Sequence, residues 1–159
     1  MTNVRENNSS IAINRRARFD YQIIETYEAG MILTGTEVKS LRIGQAQIHQ
    51  AYATFENDTI VLLGLHIDEY MQAGKHLQHD PRRPRLLLLN KKQIKKIKEG
   101  LTREGMTLVP MKMYFNARGR IKIEIGLAKG KRQVEKREAT KERDWDRDKA
   151  RILREKNKG

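Results

Sequence analysis

Apolar and polar residues alternate with a period of two in several separate stretches of this chain. In Phe19–Tyr27 (FDYQIIETY), Tyr21, Ile23, Glu25 and Tyr27 alternate with Gln22, Ile24 and Thr26. That period, carried by aromatic and β-branched residues, predicts a strand. Glu28-Ala29-Gly30 predicts an interruption, a bulge or bend, before the strand resumes over Met31–Leu33. Gly35–Gly44 (GTEVKSLRIG) predicts a short helix. Thr36 is its N-cap, Glu37 suits the positive end of its dipole, Val38 and Leu41 face inward, and Gly44 stops it. Ala51–Phe55 and Thr59–Leu65 flank Glu56-Asn57-Asp58, a hairpin pattern. His66–His79 predicts a polar, irregular surface loop, and Leu86–Leu89 a short buried run.

Asn90, with Gln93 at the capping-box position, predicts a helix over Lys91–Glu99 that ends at Gly100. Ile94, Ile97 and Leu101 then face the core. Met106–Phe115 and Arg120–Leu127 predict two strands joined by a hairpin loop, with Gly119 where φ is positive. Pro110 has no amide proton for a ladder, which places it at an edge or a bulge. The pattern amounts to about six short antiparallel strands with a small helix between two of them. It predicts a mainly β fold, a small closed or partly open barrel of the oligonucleotide-binding (OB) kind. A flat α+β sandwich is the alternative.

Charge changes the picture most at the C-terminal end. The chain carries 33 Lys and Arg against 20 Asp and Glu, a net +13, split as +7 over residues 1–128 and +6 over 129–159. The last stretch offers few apolar side chains beyond Val134, Trp145, Ile152 and Leu153, too few to offset the entropy of ordering. On a helix, Arg143, Arg147, Arg151, Arg154 and Lys158 share one face, and Glu135, Glu138, Glu142 and Asp146 form an acidic stripe. A tail that is disordered when free and helical on a polyanion is one reading; a solubilising basic tail is the other. The expected organisation is a flexible N-terminus (1–10), a barrel (11–128) and a basic tail (129–159).

A basic body with a basic tail implies nucleic acid as partner. Cysteine is absent, which excludes disulfides and cysteine-ligated zinc. There is no run of 18 apolar residues, and Met1–Ser10 has no apolar core for a signal peptide, so the expectation is a cytosolic protein without a membrane partner. His76, His79 and Asp80 have a metal-like spacing but sit in the expected loop, where solvation is the simpler reading. His49 and His66 are isolated, and Ser40 lies in a helix with no evident base. No catalytic residue, metal or cofactor is expected. The basic segments are Arg15, Arg16 and Arg18; Lys39 with Arg42; Arg82, Arg83 and Arg85; Arg118 with Arg120 and Lys122; and Lys129–Arg132. With Tyr21 or Tyr27 as candidate stacking platforms, they point to RNA contact.

The runs GTEVKSLRIG, PRRPRLLLLN, GLAKGKRQ and DKARIL, in this order and spacing, resemble the SmpB family, the SsrA-binding proteins of bacteria. The resemblance extends from Ile11 to Arg154. It implies an OB barrel that, as a monomer, binds the tRNA-like domain of transfer-messenger RNA. The pair enters ribosomes stalled on messages lacking a stop codon and starts trans-translation. The barrel stands in for the anticodon stem, and the tail occupies the empty mRNA channel against small-subunit ribosomal RNA. By position, the barrel's RNA-binding residues are Asn14, Arg15, Arg16, Arg18, Glu28, Lys39, Arg42, Leu88 and Lys122. Leu88 is expected to shape the barrel wall, and Glu28 either to accept a hydrogen bond from RNA or to stabilise a turn. The tail residues are Lys129, Gly130, Lys131, Arg132, Glu135, Lys136 and Arg137, then Trp145, Lys149, Ile152 and Leu153. Some members have His where this chain has Val134, so stacking through that side chain is lost. A permanently bound ribosomal protein and a metal-dependent nuclease remain the competing readings.

Overall fold

The alternating stretches form strands, and the strands close on one another. The computed structural model describes residues 4–44, 46–103, 105–130, 143, 145–152 and 154. In chain order the elements are β1 (Ser10–Ile13), α1 (Ala17–Asp20), β2 (Tyr21–Met31), α2 (Gly35–Ile43), β3 (Ala46–Gln47), β4 (Tyr52–Glu56), β5 (Thr59–Leu63), β6 (His66–Ile67), β7 (Arg85–Leu88), α3 (Lys91–Arg103), β8 (Thr107–Phe115) and β9 (Ile121–Gly130). Residues 143, 145–152 and 154 are helical. The sheet runs β1-β8-β4-β5-β7-β2-β9, and β8 also pairs with β9. That last pairing turns six antiparallel strands into a barrel, with β1 on its outer edge and β3–β6 as a small separate ribbon. The OB-type barrel, rather than the flat sandwich, is the architecture.

Inward positions alternate as the pattern requires. Ile60, Leu62, Leu87, Leu108, Met113, Phe115 and Ile123 are buried in one core, with Ile97 of α3 among them. Burying each such side chain contributes about 1.5–3 kcal/mol. Asn90 and Gln93 cap α3 reciprocally: the Gln93 amide donates to Asn90 Oδ1 at 2.9 Å, and the Asn90 amide to Gln93 Oε1 at 3.2 Å. Asn57 and Asp58 both have positive φ (49° and 60°), the two-residue turn whose twist matches a hairpin. Pro110 lies at a register shift between Pro110 and Lys112, as its missing amide proton demands. Gly119 has φ 74°.

Several expectations are corrected. β2 runs unbroken through Glu28-Ala29-Gly30, and its irregularity falls between Ile23 and Glu25. Gly30 serves close approach instead of a bend: a Cβ there would stand 3.3 Å from Leu88 Cβ. The N-cap of α2 is Thr34, which forms a capping box with Glu37. α3 continues past Gly100 to Arg103, because the missing side chain lets the helix lie against Leu127, only 2.7 Å from where a Cβ would be. Leu86–Leu89 is not buried throughout. It alternates, with Leu87 buried and Leu86 and Leu88 exposed. The 66–79 segment contains β6 and a buried His79, whose ring nitrogens pair with Thr36 Oγ1 (2.9 Å) and the Ile67 carbonyl (3.1 Å). Residues of the expected flexible N-terminus are tied down: Arg5 donates from Nη1 to the Leu41 and Gly44 carbonyls, closing the C-terminal end of α2.

The largest correction concerns Glu37. Its carboxylate is fully buried, and two arginines read as surface charges turn inward onto it. Arg83 donates to Oε1 from Nε (3.0 Å) and Nη2 (2.5 Å), and Arg85 donates to Oε2 from Nε (2.6 Å). Arg85, also fully buried, spends its other donors on the Leu65 and Pro81 carbonyls at 2.6 and 3.0 Å. Burial alone would raise the Glu37 carboxyl. The Thr34 amide, the two guanidiniums' hydrogen bonds and the charge of Arg85 outweigh it and hold the group below its ordinary 4.5. A carboxyl lowered on folding contributes stability that is present above its unfolded pKa and is lost as pH falls through the folded one. Thermal melts should therefore weaken below about pH 4.5. Glu37→Gln, which strands the buried Arg85 charge, should cost about 3–5 kcal/mol at neutral pH and flatten that acid limb.

Candidate nucleic-acid interface

Where β7, β2, β9 and β8 lie side by side, their outward residues build one continuous face. Gly30 of β2 pairs with Leu88 of β7 on one side and Lys122 of β9 on the other. Glu28 stands opposite Glu124, Tyr114 opposite Lys122, and Lys112 opposite Glu124. Period two places all these side chains on the same outer surface. The Tyr114 hydroxyl donates to Glu28 Oε2 at 2.5 Å, and Lys112 Nζ lies 3.7 Å from Glu124 Oε2. Burial, and then the hydrogen bond to Glu28, push the Tyr114 phenol up. Each acid on this face thus has a donor or a cation against it. Lys122 has no such partner among the described residues, and it rims a concave patch with Gly30, Met31, Leu33, Val38, Leu88 and Arg120. An apolar floor with a cationic rim accepts a ribose or base against the floor and a phosphate at the rim.

Three of the residues singled out in the sequence, Glu28, Leu88 and Lys122, therefore meet here. Leu88 stands on β7, a strand of the barrel wall, with its side chain outward and 56% exposed. Glu28 sits mid-strand and stabilises no turn. Asn14 lies elsewhere, beside α1, where its Nδ2 donates to the Pro110 carbonyl at 3.0 Å. Arg15, Arg16 and Arg18 are exposed around α1, with Arg16 3.8 Å from Asp20. Lys39 is exposed on α2 near the Tyr70 ring.

Arg42 is not the outward cation that its helical position suggested. Its guanidinium lies 4.0 Å from the Phe115 ring centroid and donates to the Arg5 and Gly119 carbonyls at 2.8 and 3.0 Å. Of the proposed stacking rings, Tyr27 is buried with its hydroxyl on Glu25, and Tyr21 packs into a small second core. A further ring, Tyr52, which was not among the sequence candidates, is 54% exposed on β4. The signal was present in AYATF, where alternation sends Ala51 and Ala53 inward and Tyr52 outward.

Lys129 and Gly130 are the last residues of β9, paired with Gln22 and Tyr21. Lys131, Arg132, Glu135, Lys136, Arg137 and Leu153 lie outside the described residues. Trp145 and Ile152 are exposed on the helical segment, and Lys149 Nζ lies 5.7 Å from the Trp145 ring centroid. The Arg143 guanidinium stands over Phe19, 4.9 Å from its centroid.

The SmpB protein family model matches residues 11–155. The chain belongs to the SmpB family. It is 56% identical over 147 residues to the SsrA-binding protein of Agrobacterium fabrum, covering 92% of this chain and 91% of that one. The SsrA-binding protein of Azorhizobium caulinodans is 54% identical over 145 residues, covering 91% and 90%. A solved chain described as "tmRNA-SmpB: a journey to the center of the bacterial ribosome" shares 45% identity at a TM-score of 0.64, covering 83% of this chain and 95% of that chain. SmpB is a family of RNA-binding adaptors. Among the described residues no helix is long and apolar enough to cross a membrane.

The different settings of Arg42 and Lys122 separate structure from binding. Arg42→Met should lower stability by about 1–3 kcal/mol in a thermal melt, because charge-assisted bonds to two carbonyls are lost. It should leave the salt dependence of RNA affinity unchanged. Lys122→Gln should leave the melt unchanged and reduce the salt slope by about one.

Proposed function

We propose that this SmpB-family chain binds the tRNA-like domain of transfer-messenger RNA with its barrel and carries that RNA into ribosomes stalled on messages without a stop codon. The observation that supports this most is the outer face on which Glu28, Leu88 and Lys122 converge around Gly30. The names of the relatives, SsrA-binding proteins, and the description of the solved neighbour, which names tmRNA, SmpB and the bacterial ribosome, agree with it.

On that face Lys122 neutralises a phosphate and Leu88 covers the apolar side of a ribose or base. Glu28 keeps Oε1 as an acceptor for a 2′-hydroxyl or base amino group while Tyr114 orients its other oxygen. The exposed cations of α1 and Lys39 add phosphate contacts. The barrel takes the place of an anticodon stem. The tail, through Lys131, Arg132, Glu135, Lys136 and Arg137 and then Trp145, Lys149, Ile152 and Leu153, engages small-subunit ribosomal RNA in the empty mRNA channel. The chain works in the cytoplasm as a monomer, by binding and without catalysing a reaction.

Two variants test this division of labour. Leu88→Asp should weaken binding of the tRNA-like domain by about tenfold or more, the effect of losing roughly 1.4 kcal/mol. Ending the chain at Gly130, where β9 ends, should leave that binding within about twofold and abolish peptide tagging in a reconstituted translation system. Loss of both in the shortened chain would contradict the proposal.

A further inference from the structure

Tyr52 stands apart from the other rings of the barrel. Phe19 lies under Arg16, Phe55 under Lys98 and Phe115 under Arg42. The hydroxyls of Tyr27, Tyr70 and Tyr114 are held by Glu25, Gln72 and Glu28. Tyr21 packs against Ala17, Val109, Met111 and Ala128. Tyr52 is 54% exposed, and among the described residues neither its ring nor its hydroxyl has a partner.

The ring walls a cleft of about 210 Å³ between α1 and the start of β4, lined also by Asn14, Arg16, Asp20, His49 and Thr107. Small-molecule pockets hold roughly 300–1,000 Å³, so this cleft suits one flat ring rather than a larger ligand. Its polar groups suit a nucleotide. Asn14 uses Nδ2 on the Pro110 carbonyl and keeps Oδ1 to accept from a base amino group. Arg16, with a side chain 76% exposed, lies 3.8 Å from Asp20, which offsets the carboxylate's repulsion of a phosphate. Arg15 and Arg18, close to Arg16 in the chain, are exposed and add to the positive charge that draws in a polyanion.

We propose that this cleft takes one unpaired nucleobase of a single-stranded RNA segment, stacked on Tyr52, with Arg16 on the adjoining phosphate. The proposal rests on the reading of the chain as an RNA adaptor. It adds a second contact, to a strand other than the one held on the outer face around Gly30.

The test uses the full chain and a ten-nucleotide single-stranded RNA carrying one 2-aminopurine, at low salt. The wild type and Tyr52→Phe should change the probe's fluorescence on binding, because the ring does the stacking. Tyr52→Leu, which keeps an apolar strand residue, should lose that signal and bind about 5- to 100-fold more weakly, the range for one lost stacked base. Binding of the tRNA-like domain by Tyr52→Leu should stay within about twofold of wild type. A Tyr52→Leu chain that binds and reports like wild type would overturn the site. So would a wild type that binds the tRNA-like domain yet leaves the probe's fluorescence unchanged. A wild type that reports on the probe but fails to bind the tRNA-like domain would count against the adaptor function and leave this site standing.

Discussion

One buried carboxylate holds the barrel's outer face in place. Glu37 sits at the third position of α2 and receives a capping amide from Thr34 and guanidinium bonds from Arg83 and Arg85. These groups come from the loop before α2, the segment entering β7, and β7 itself. Removing two charges from water is expensive, so the cluster gives little net stability over an apolar core. It contributes position. With Arg85 turned inward as the first residue of β7, the alternation of that strand is set, and Leu86 and Leu88 must point outward. A one-residue slip would bury Leu88 and expose the Arg85 charge, an outcome the Glu37 bonds forbid.

The outer face follows from that register. Gly30 lets the backbones of β2 and β7 present Leu88 and Lys122 over one shallow hollow, since any side chain there would crowd Leu88. The acids beside it do not make the face anionic: Lys112 pairs with Glu124, and Lys122 with Arg120 at the rim outweighs the single charge of Glu28, which Tyr114 orients. The face reads as weakly cationic and partly apolar, the character of a surface that meets ribose and base edges as well as phosphates.

Five of the barrel strands and the helices α2 and α3 were legible in the sequence, because period-two alternation, a capping box at Asn90 and a turn at Asn57-Asp58 are local signals; β7 showed only as an apolar run, since the four leucines of Leu86–Leu89 hide the alternation. β1, β3 and β6 span four, two and two residues, too short for a period to show. The fate of the arginines was not legible. Arg83 and Arg85 find their carboxylate 46 and 48 residues away, and Arg42 finds carbonyl partners 37 and 77 residues away. Nothing in PRRPR or KSLR distinguishes a guanidinium bound for the core from one bound for a phosphate. The outward place of Tyr52 is legible in AYATF, where its alanine neighbours turn inward.

Part of the cationic charge is thus taken up by the fold. Arg42, Arg83 and Arg85, with planar forks and several donors, satisfy carbonyls and a buried carboxylate. Lysines such as Lys91, Lys92, Lys95 and Lys96 stay in water along α3, where like charges four residues apart weaken the helix slightly. The capping box and the Ile97 contact hold α3 despite that repulsion. The surviving surface charge acts over a screening distance of about 8–10 Å at ordinary salt, which speeds encounter with a polyanion without choosing its sequence. The proposed selection of an RNA comes where an apolar or aromatic group lies beside an exposed cation, as at Leu88 with Lys122 and Tyr52 with Arg16. A net charge of +13 therefore overstates how much of the chain is devoted to RNA, since its most conspicuous arginine run is largely spent on keeping the barrel in register.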